Sequence, residues 1–249
     1  MIKTAIFDWF GYILSMEERY KLIKVAGYDG TMIWWGFIDE AFNIEKHKNP
    51  EIARKQGLFI ENIHTPFISS NDIWCDNLNG ENYAKMLMDC VSDCNIHKIP
   101  KMVVHLSEGA NPSPVSKIGM NRVKSIIGKA EELGIFIALE NLRINEHLRY
   151  IFDNVQSEYL GFCFDSGHQN CRTPNEDVLS TFTEDQHKLP FDGTINWLQL
   201  MIKLKDIGYN EPISLEITNY GYESMIDKPY EFLKIAYERV LKLKNLLEN

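Results

Sequence analysis

The stretch Tyr159-Leu160-Gly161-Phe162-Cys163-Phe164-Asp165-Ser166-Gly167-His168-Gln169-Asn170 decides how this chain is read. A short apolar run, rich in aromatics and bounded by turn residues, has the signature of a buried strand. It delivers an aspartate and a histidine into a glycine-containing turn. Carboxylate oxygen and imidazole nitrogen are both good ligands for a divalent metal, and two such groups just past a strand end can approach one point. Taken alone, the stretch reads equally well with Asp165 capping the following segment and His168 as a polar loop residue.

The same theme recurs on both sides. Residues 3–7 form a short apolar run ending at Asp8, and Ser15 to Glu18 is the Ser-x-x-Glu box that opens a helix running to Ala26. Residues 31–35 and 58–64 are the second and third strands, the latter ending in His64 and broken by Thr65-Pro66-Phe67. A helix over 79–95 carries Tyr83, Met86, Leu87, Cys90, Val91 and Cys94 on one face. The fourth strand, 101–106, carries His105 at its end, and a helix to Leu133 leads to a fifth, 135–141, that ends in Glu140. After a helix over 145–154 comes the quoted strand, then a short helix from Thr173-Pro174 to about Phe182 and another over 194–206. A last strand, 212–217, ends in Glu216, and a helix over 229–247 follows.

Strands alternating with helices predict βα units and a parallel sheet covered on both faces. At 249 residues, with no Pro/Gly/Ser-rich linker, the expectation is one α/β domain over 1–249, a (β/α)8 TIM barrel. An open doubly wound sheet is the alternative, without a Gly-x-Gly-x-x-Gly after the first strand to support it. Composition narrows the function. The formal charge of −9 disfavours a phosphate backbone as partner, so no nucleic acid is expected. No apolar run reaches the roughly 18 residues of a membrane helix. Five cysteines without C-x-x-C spacing, and a start that enters a strand rather than a signal peptide, point to the cytoplasm.

In a parallel barrel the ends bearing His64, His105, Glu140, Asp165 with His168, and Glu216 gather at one face, where such barrels place their active sites. Each has an ordinary structural reading when taken singly. Together they are hard to explain that way, since burying several carboxylates without compensating charge is costly. The segments Ile63-His64-Thr65-Pro66, Val104-His105, Ala138-Leu139-Glu140-Asn141, Phe164-Asp165-Ser166-Gly167-His168 and Leu215-Glu216 resemble the xylose isomerase-like TIM-barrel superfamily of sugar isomerases and epimerases, which also contains endonuclease IV.

The resemblance implies a divalent-metal-dependent isomerase or epimerase acting on a sugar or sugar phosphate by proton transfer through an enediolate. It makes Glu140, Asp165 and Glu216 metal ligands and Glu140 and Glu216 the catalytic acid/base pair. The cofactor would be one divalent ion, manganese, magnesium, cobalt or zinc, which these ligands do not distinguish. His168 is implied to orient substrate, with His64, His105, Trp35 and Arg143 as further substrate-side residues. Asp185-Gln186-His187 resembles the Asp-x-His with which endonuclease IV holds additional zinc, so a second metal subsite and phosphodiester cleavage stay open. So does a non-catalytic sugar-binding barrel, and a homo-oligomer is compatible with any of these. One departure stands out: the family's seventh strand, with its metal-binding histidine, is not identifiable between 166 and 192. Either the chain lacks that unit or a segment is absent around 180–183, and His187 is the nearest substitute for the fourth ligand.

Overall fold

The structure, a computed structural model, describes residues 1–36, 45–172 and 185–248. In chain order the elements are β1 (Thr4–Phe7), α1 (Met16–Ala26), β2 (Gly30–Trp34), α2 (Asn49–Lys55), β3 (Phe59–His64), α3 (Leu78–Ile96), β4 (Lys101–Val104) and α4 (Lys117–Leu133). They continue with β5 (Phe136–Glu140), α5 (Glu146–Asn154), β6 (Leu160–Cys163), α6 (Ser166–Arg172), α7 (Trp197–Asp206), β7 (Ile213–Leu215) and α8 (Pro229–Glu248). The chain forms two compact units, residues 1–61 with 186–249, and residues 62–185.

In the first unit the strand order is β3-β2-β1-β7, with β1 parallel to both neighbours. All four residues of β1 are buried, which suits a parallel strand covered on both faces. Helix α1 starts as its sequence predicts, the Ser15 hydroxyl accepting from the Glu18 N–H at 3.2 Å. It stops at Gly27, whose φ of 116° lies in the left-handed region, and a Cβ there would meet the Tyr237 ring at 2.6 Å. Tyr20 and Ile23 of α1 and Phe232, Leu233 and Ala236 of α8 are all fully buried, so the two helices share an apolar seam.

The second unit has the order β3-β4-β5-β6, again parallel throughout. Its core is aliphatic: Val104 of β4 and Ile137 and Leu139 of β5 meet Leu87 of α3 and Ile126 and Ile127 of α4, and Met102, Val103 and Val91 are buried as well. The predicted apolar face of α3 is buried as expected, Cys90 and Cys94 included. Both thiols are therefore packing residues, and burial pushes the Cys94 thiol up beyond the range in which it could react.

Strand β7 is the one the sequence places eighth. Among the described residues, β6 has one strand neighbour, β5, and β7 has one, β1. Residues 166–172 are helical and 185–196 contain no strand. The helix expected from Thr173 to about Phe182 and the expected break near 180–183 lie outside the described residues. One reading needs correction: Ser166-Gly167-His168 is not a loop but the first turn of α6, which begins directly beyond β6.

At the end of β1 the chain buries a charge. Asp8 is 1 % exposed; its carboxylate accepts from the Trp34 N–H at 3.0 Å and the Tyr20 hydroxyl at 2.9 Å. Arg19, also fully buried, donates to the carbonyls of Asp8 and Tyr12. Burial outweighs these contacts and raises the Asp8 carboxyl from 3.8 to about 6. Because the folded value is the higher one, the folded chain holds this proton more tightly than the unfolded chain. The group's contribution is present below about pH 4 and lost as pH rises through 6, a change on the order of 3 kcal/mol. Urea unfolding at pH 4, 5, 6 and 7 should therefore show the parent losing stability relative to Asp8→Asn as pH rises, and a parallel pair of curves would contradict this account.

Candidate functional site

The second unit gathers the ends of its four strands around one buried carboxylate. Glu140, the last residue of β5, is 3 % exposed. Its Oε2 lies 3.2 Å from His64 Nε2 and 3.0 Å from His105 Nε2, and its Oε1 lies 3.1 Å from His168 Nδ1. The backbone explains the convergence. His64 ends β3, His105 follows β4 and Asp165 follows β6, so parallel strands in register deliver all of them to the same level. His64 to Glu140 form one group of donors within 4.8 Å of one another with His105, and Glu140, Asp165 and His168 form a second that shares Glu140.

Asp165 caps the segment that follows it, as one reading of its sequence has it. Its Oδ1 accepts from the His168 N–H, which caps α6, and the same oxygen lies 3.9 Å from His168 Nδ1. Further along, His168 Nε2 lies 3.6 Å from Asp185 Oδ2. Gly167 makes room for that approach, since a Cβ there would stand 2.7 Å from Asp185 Oδ1. Phe67, from the turn after β3, stacks on His105 with ring centroids 4.8 Å apart and meets His64 edge-on at 5.8 Å.

The histidines share one habit. Nδ1 of His64 lies 3.0 Å from the Thr65 carbonyl, Nδ1 of His168 lies 2.9 Å from the Asn141 carbonyl, and Nδ1 of His187 lies 3.4 Å from the Glu216 carbonyl. A carbonyl only accepts, so the network assigns the ring proton to Nδ1 in each case and leaves the Nε2 lone pair to face outward. For His64 that lone pair faces a carboxylate oxygen, and for His168 it faces Asp185. Two acceptors at such distances repel unless a cation, either a second proton or a metal ion, lies with them. Imidazoles oriented through Nδ1–H to a carbonyl, with carboxylates opposite Nε2, are the donor arrangement a divalent metal requires, so these residues fit one.

Electrostatics agree. Burial opposes ionisation of Glu140, but His105 and the hydrogen bonds from His105 and His168 hold its carboxyl well below the usual carboxylate range. Burial pushes His105 below 6.5; Glu140 pulls it back up, while His64 and His168 push it further down. A neutral His105 donating to an ionised Glu140 is consistent with both. Burial raises Asp165, and Glu140 and Asp185 raise it further against His168.

Glu216 follows β7 and is half-buried, and His187 adjoins it in the first unit through the 3.4 Å contact above. Trp35 is fully buried, edge-on to the His47 ring at 5.4 Å, and its carbonyl accepts from Lys46 Nζ at 2.9 Å. Arg143 is exposed in the turn after β5. Sequence reasoning overlooked Asn141, which is 3 % exposed and bonded to Asp165 through its side chain. Its only signal was a polar amide directly after a strand-end glutamate.

A family profile described as a xylose isomerase-like TIM barrel matches residues 20–236. The chain belongs to that family. It is 28% identical to an uncharacterized protein of Methanocaldococcus jannaschii, over 75% of this chain and 74% of that one. Solved structures of sugar epimerases and an epimerase-like protein share the fold. A D-tagatose 3-epimerase-like protein has TM-score 0.74 at 22% identity, covering 99% of this chain and 97% of its own. An L-ribulose 3-epimerase has TM-score 0.74 at 16% identity, covering 100% and 95%. A D-psicose 3-epimerase from Clostridium cellulolyticum H10, with D-tagatose, has TM-score 0.73 at 14% identity, covering 99% of each chain. Among the described residues no helix is long and apolar enough to cross a membrane.

The coupling between Glu140 and His105 has a sign that can be measured. In the metal-free protein the His105 ring should titrate below 6.5. Glu140→Gln, which removes the charge that raises it, should move that midpoint lower still. NMR titration of the ring protons checks this, and a midpoint that rises in Glu140→Gln would reverse the assignment.

Proposed function

We propose that this protein is a divalent-cation-dependent isomerase or epimerase of a small sugar, acting by proton transfer. The observation that carries the reading is the buried Glu140 carboxylate met by three imidazoles, two of which, His64 and His168, are held through Nδ1 by main-chain carbonyls. The epimerases that share the fold support the sugar as substrate class. Glu140, Asp165 and Glu216 would hold the cation, with His187 as the fourth ligand. When bound, the cation supplies Lewis acidity that stabilises negative charge developing on neighbouring sugar oxygens.

The chain's own residues do the rest. Glu140, kept ionised by its imidazole neighbours, takes a proton from a sugar carbon, and Glu216 returns one, so the reaction is neutral in protons overall. His64, His105 and His168 bind and orient hydroxyl groups. Trp35 and Arg143 belong to the substrate side in this reading. The segment Thr218-Asn219-Tyr220-Gly221-Tyr222-Glu223 after the last strand is aromatic and acidic rather than a glycine-rich phosphate cradle, which supports a free sugar over a sugar phosphate within this reading.

One observation favours a second reading. Glu140 is shared by two donor groups, and His168 also faces Asp185, so the residues suit more than one cation. Paired metals are a device of phosphodiester cleavage. The charge of −9 argues against a nucleic-acid polymer as its substrate.

Metal analysis of the parent beside Glu216→Gln and Asp165→Asn should show about one bound divalent ion per chain in the parent and strong depletion in both variants. Unchanged occupancy in both would remove this site. On a panel of ketoses in deuterated water, turnover should incorporate deuterium at carbon. Retention of that hydrogen would point to a hydride shift, and cleavage of bis(p-nitrophenyl) phosphate or nicking of abasic DNA without ketose turnover would favour the second reading.

A further inference from the structure

Strand β6 hands over to α6 within two residues, so the sheet ladder must end abruptly next to the site. The last regular pair is Glu140 with Cys163, followed by the Asn141 N–H to the Cys163 carbonyl at 3.3 Å. Beyond it, among the described residues, the Asp165 main-chain groups have no strand residue paired with them. The Asn141 side chain takes that place. Its Nδ2 donates to the Asp165 carbonyl at 2.8 Å and its Oδ1 accepts from the Asp165 N–H at 2.7 Å. The Asn141 carbonyl, meanwhile, receives the His168 Nδ1 proton at 2.9 Å. Main chain and side chain of one buried residue thus hold the whole segment that bears Asp165 and His168.

We infer that Asn141 is a positioning residue, whose amide extends the β5–β6 ladder past its last strand residues and so sets Asp165 and His168 against Glu140. The arrangement opposes a real repulsion, because the half-buried Asp165 carboxylate stands beside the buried one of Glu140. An asparagine amide matches the spacing of a peptide group, one donor and one acceptor side by side, so it can replace a rung without an extra strand. The device recurs among the described residues of this unit. Asn71 Oδ1 accepts from the Glu108 N–H at 3.1 Å and its Nδ2 donates to the Glu108 carbonyl at 3.0 Å. That pairing ties the segment after β3 to the segment after β4, which carry His64 and His105.

The consequence for His168 is a fixed tautomer. With the segment held, the Nδ1 proton has the Asn141 carbonyl at 2.9 Å as its nearer partner and Glu140 Oε1 at 3.1 Å as its second, and Nε2 carries the lone pair. Asn141→Asp keeps the size and the acceptor but turns the donor facing the Asp165 carbonyl into a second acceptor. The segment is then pushed away from β5, and His168 loses its carbonyl partner.

The test compares ring-nitrogen spectra of the ¹⁵N-labelled, metal-free parent and Asn141→Asp, each shown to be folded by cooperative thermal unfolding. The parent should show His168 as the Nδ1–H tautomer, and Asn141→Asp should show it shifted or averaged, while Asn71→Asp leaves it unchanged. Asn141→Ala, which removes both bonds without adding charge, is read the same way if the aspartate variant does not fold. An unchanged His168 spectrum in a folded Asn141 variant, or a parent lacking the Nδ1–H form, overturns the inference. Manganese titration adds a second arm that rests on the metal reading proposed above, with affinity expected to fall about tenfold or more in Asn141→Asp. If the parent binds no manganese, that metal reading fails by itself and the His168 spectrum alone decides the role of Asn141.

Discussion

A carboxylate buried without water must be given charge or hydrogen bonds by its surroundings, and Glu140 imposes that requirement on half of this structure. Three imidazoles reach it from three different strand ends. Two of those rings are in turn constrained by a main-chain carbonyl, His64 through its other nitrogen and His168 through the same Nδ1 that faces Glu140. The requirement passes outward from side chain to backbone, and the backbone that satisfies it is that of the parallel strands. Fold and site are in this sense one problem. A shift of one residue in the register of β4, β5 or β6 would turn the terminal side chains to the opposite face and leave Glu140 without partners.

Most of the architecture could be read from periodicity. Apolar runs closed by turn residues, alternating with helical stretches, place β1 to β6 within a residue or two of where they are found. The strand-end residues could be read too, because a histidine or glutamate that closes an apolar run breaks the pattern at a defined point. Asn141 and Asn71 could not. Their partners stand 24 and 37 residues away, and nothing local marks an amide that pairs across such a distance from one that faces water. The start of α6 was also hidden, since Ser166 and Gly167 are poor helix formers. The helix depends on the cap from Asp165, and Gly167 answers to the nearness of Asp185 rather than to helix propensity.

Phe67 shows the same division. Its place in a Pro-containing turn is plain from sequence, but its stacking on His105 follows from the way that turn folds back over the strand ends. An apolar ring there excludes water from one side of the imidazole pair, which strengthens every electrostatic contact beneath it. Ser69, close by, holds a left-handed φ of 69°, an uncommon conformation for a residue with a side chain, and its N–H is taken by the Glu108 carboxylate at 3.1 Å. The turn over the site is therefore fastened at several points rather than draped across it.

The choice of carbonyls as partners for His64 and His187 bears on how such a site changes over evolutionary time. A ring steered by a neighbouring side chain is lost when that neighbour mutates, so the two positions must drift together. Here the steering oxygens belong to the peptide groups of Thr65 and Glu216, which every amino acid supplies alike. The ring directions are thus inherited with the path of the chain. Substitutions at position 65 can accumulate without turning His64, provided the strand ends where it does, and the site can vary its surroundings while its nitrogen geometry persists.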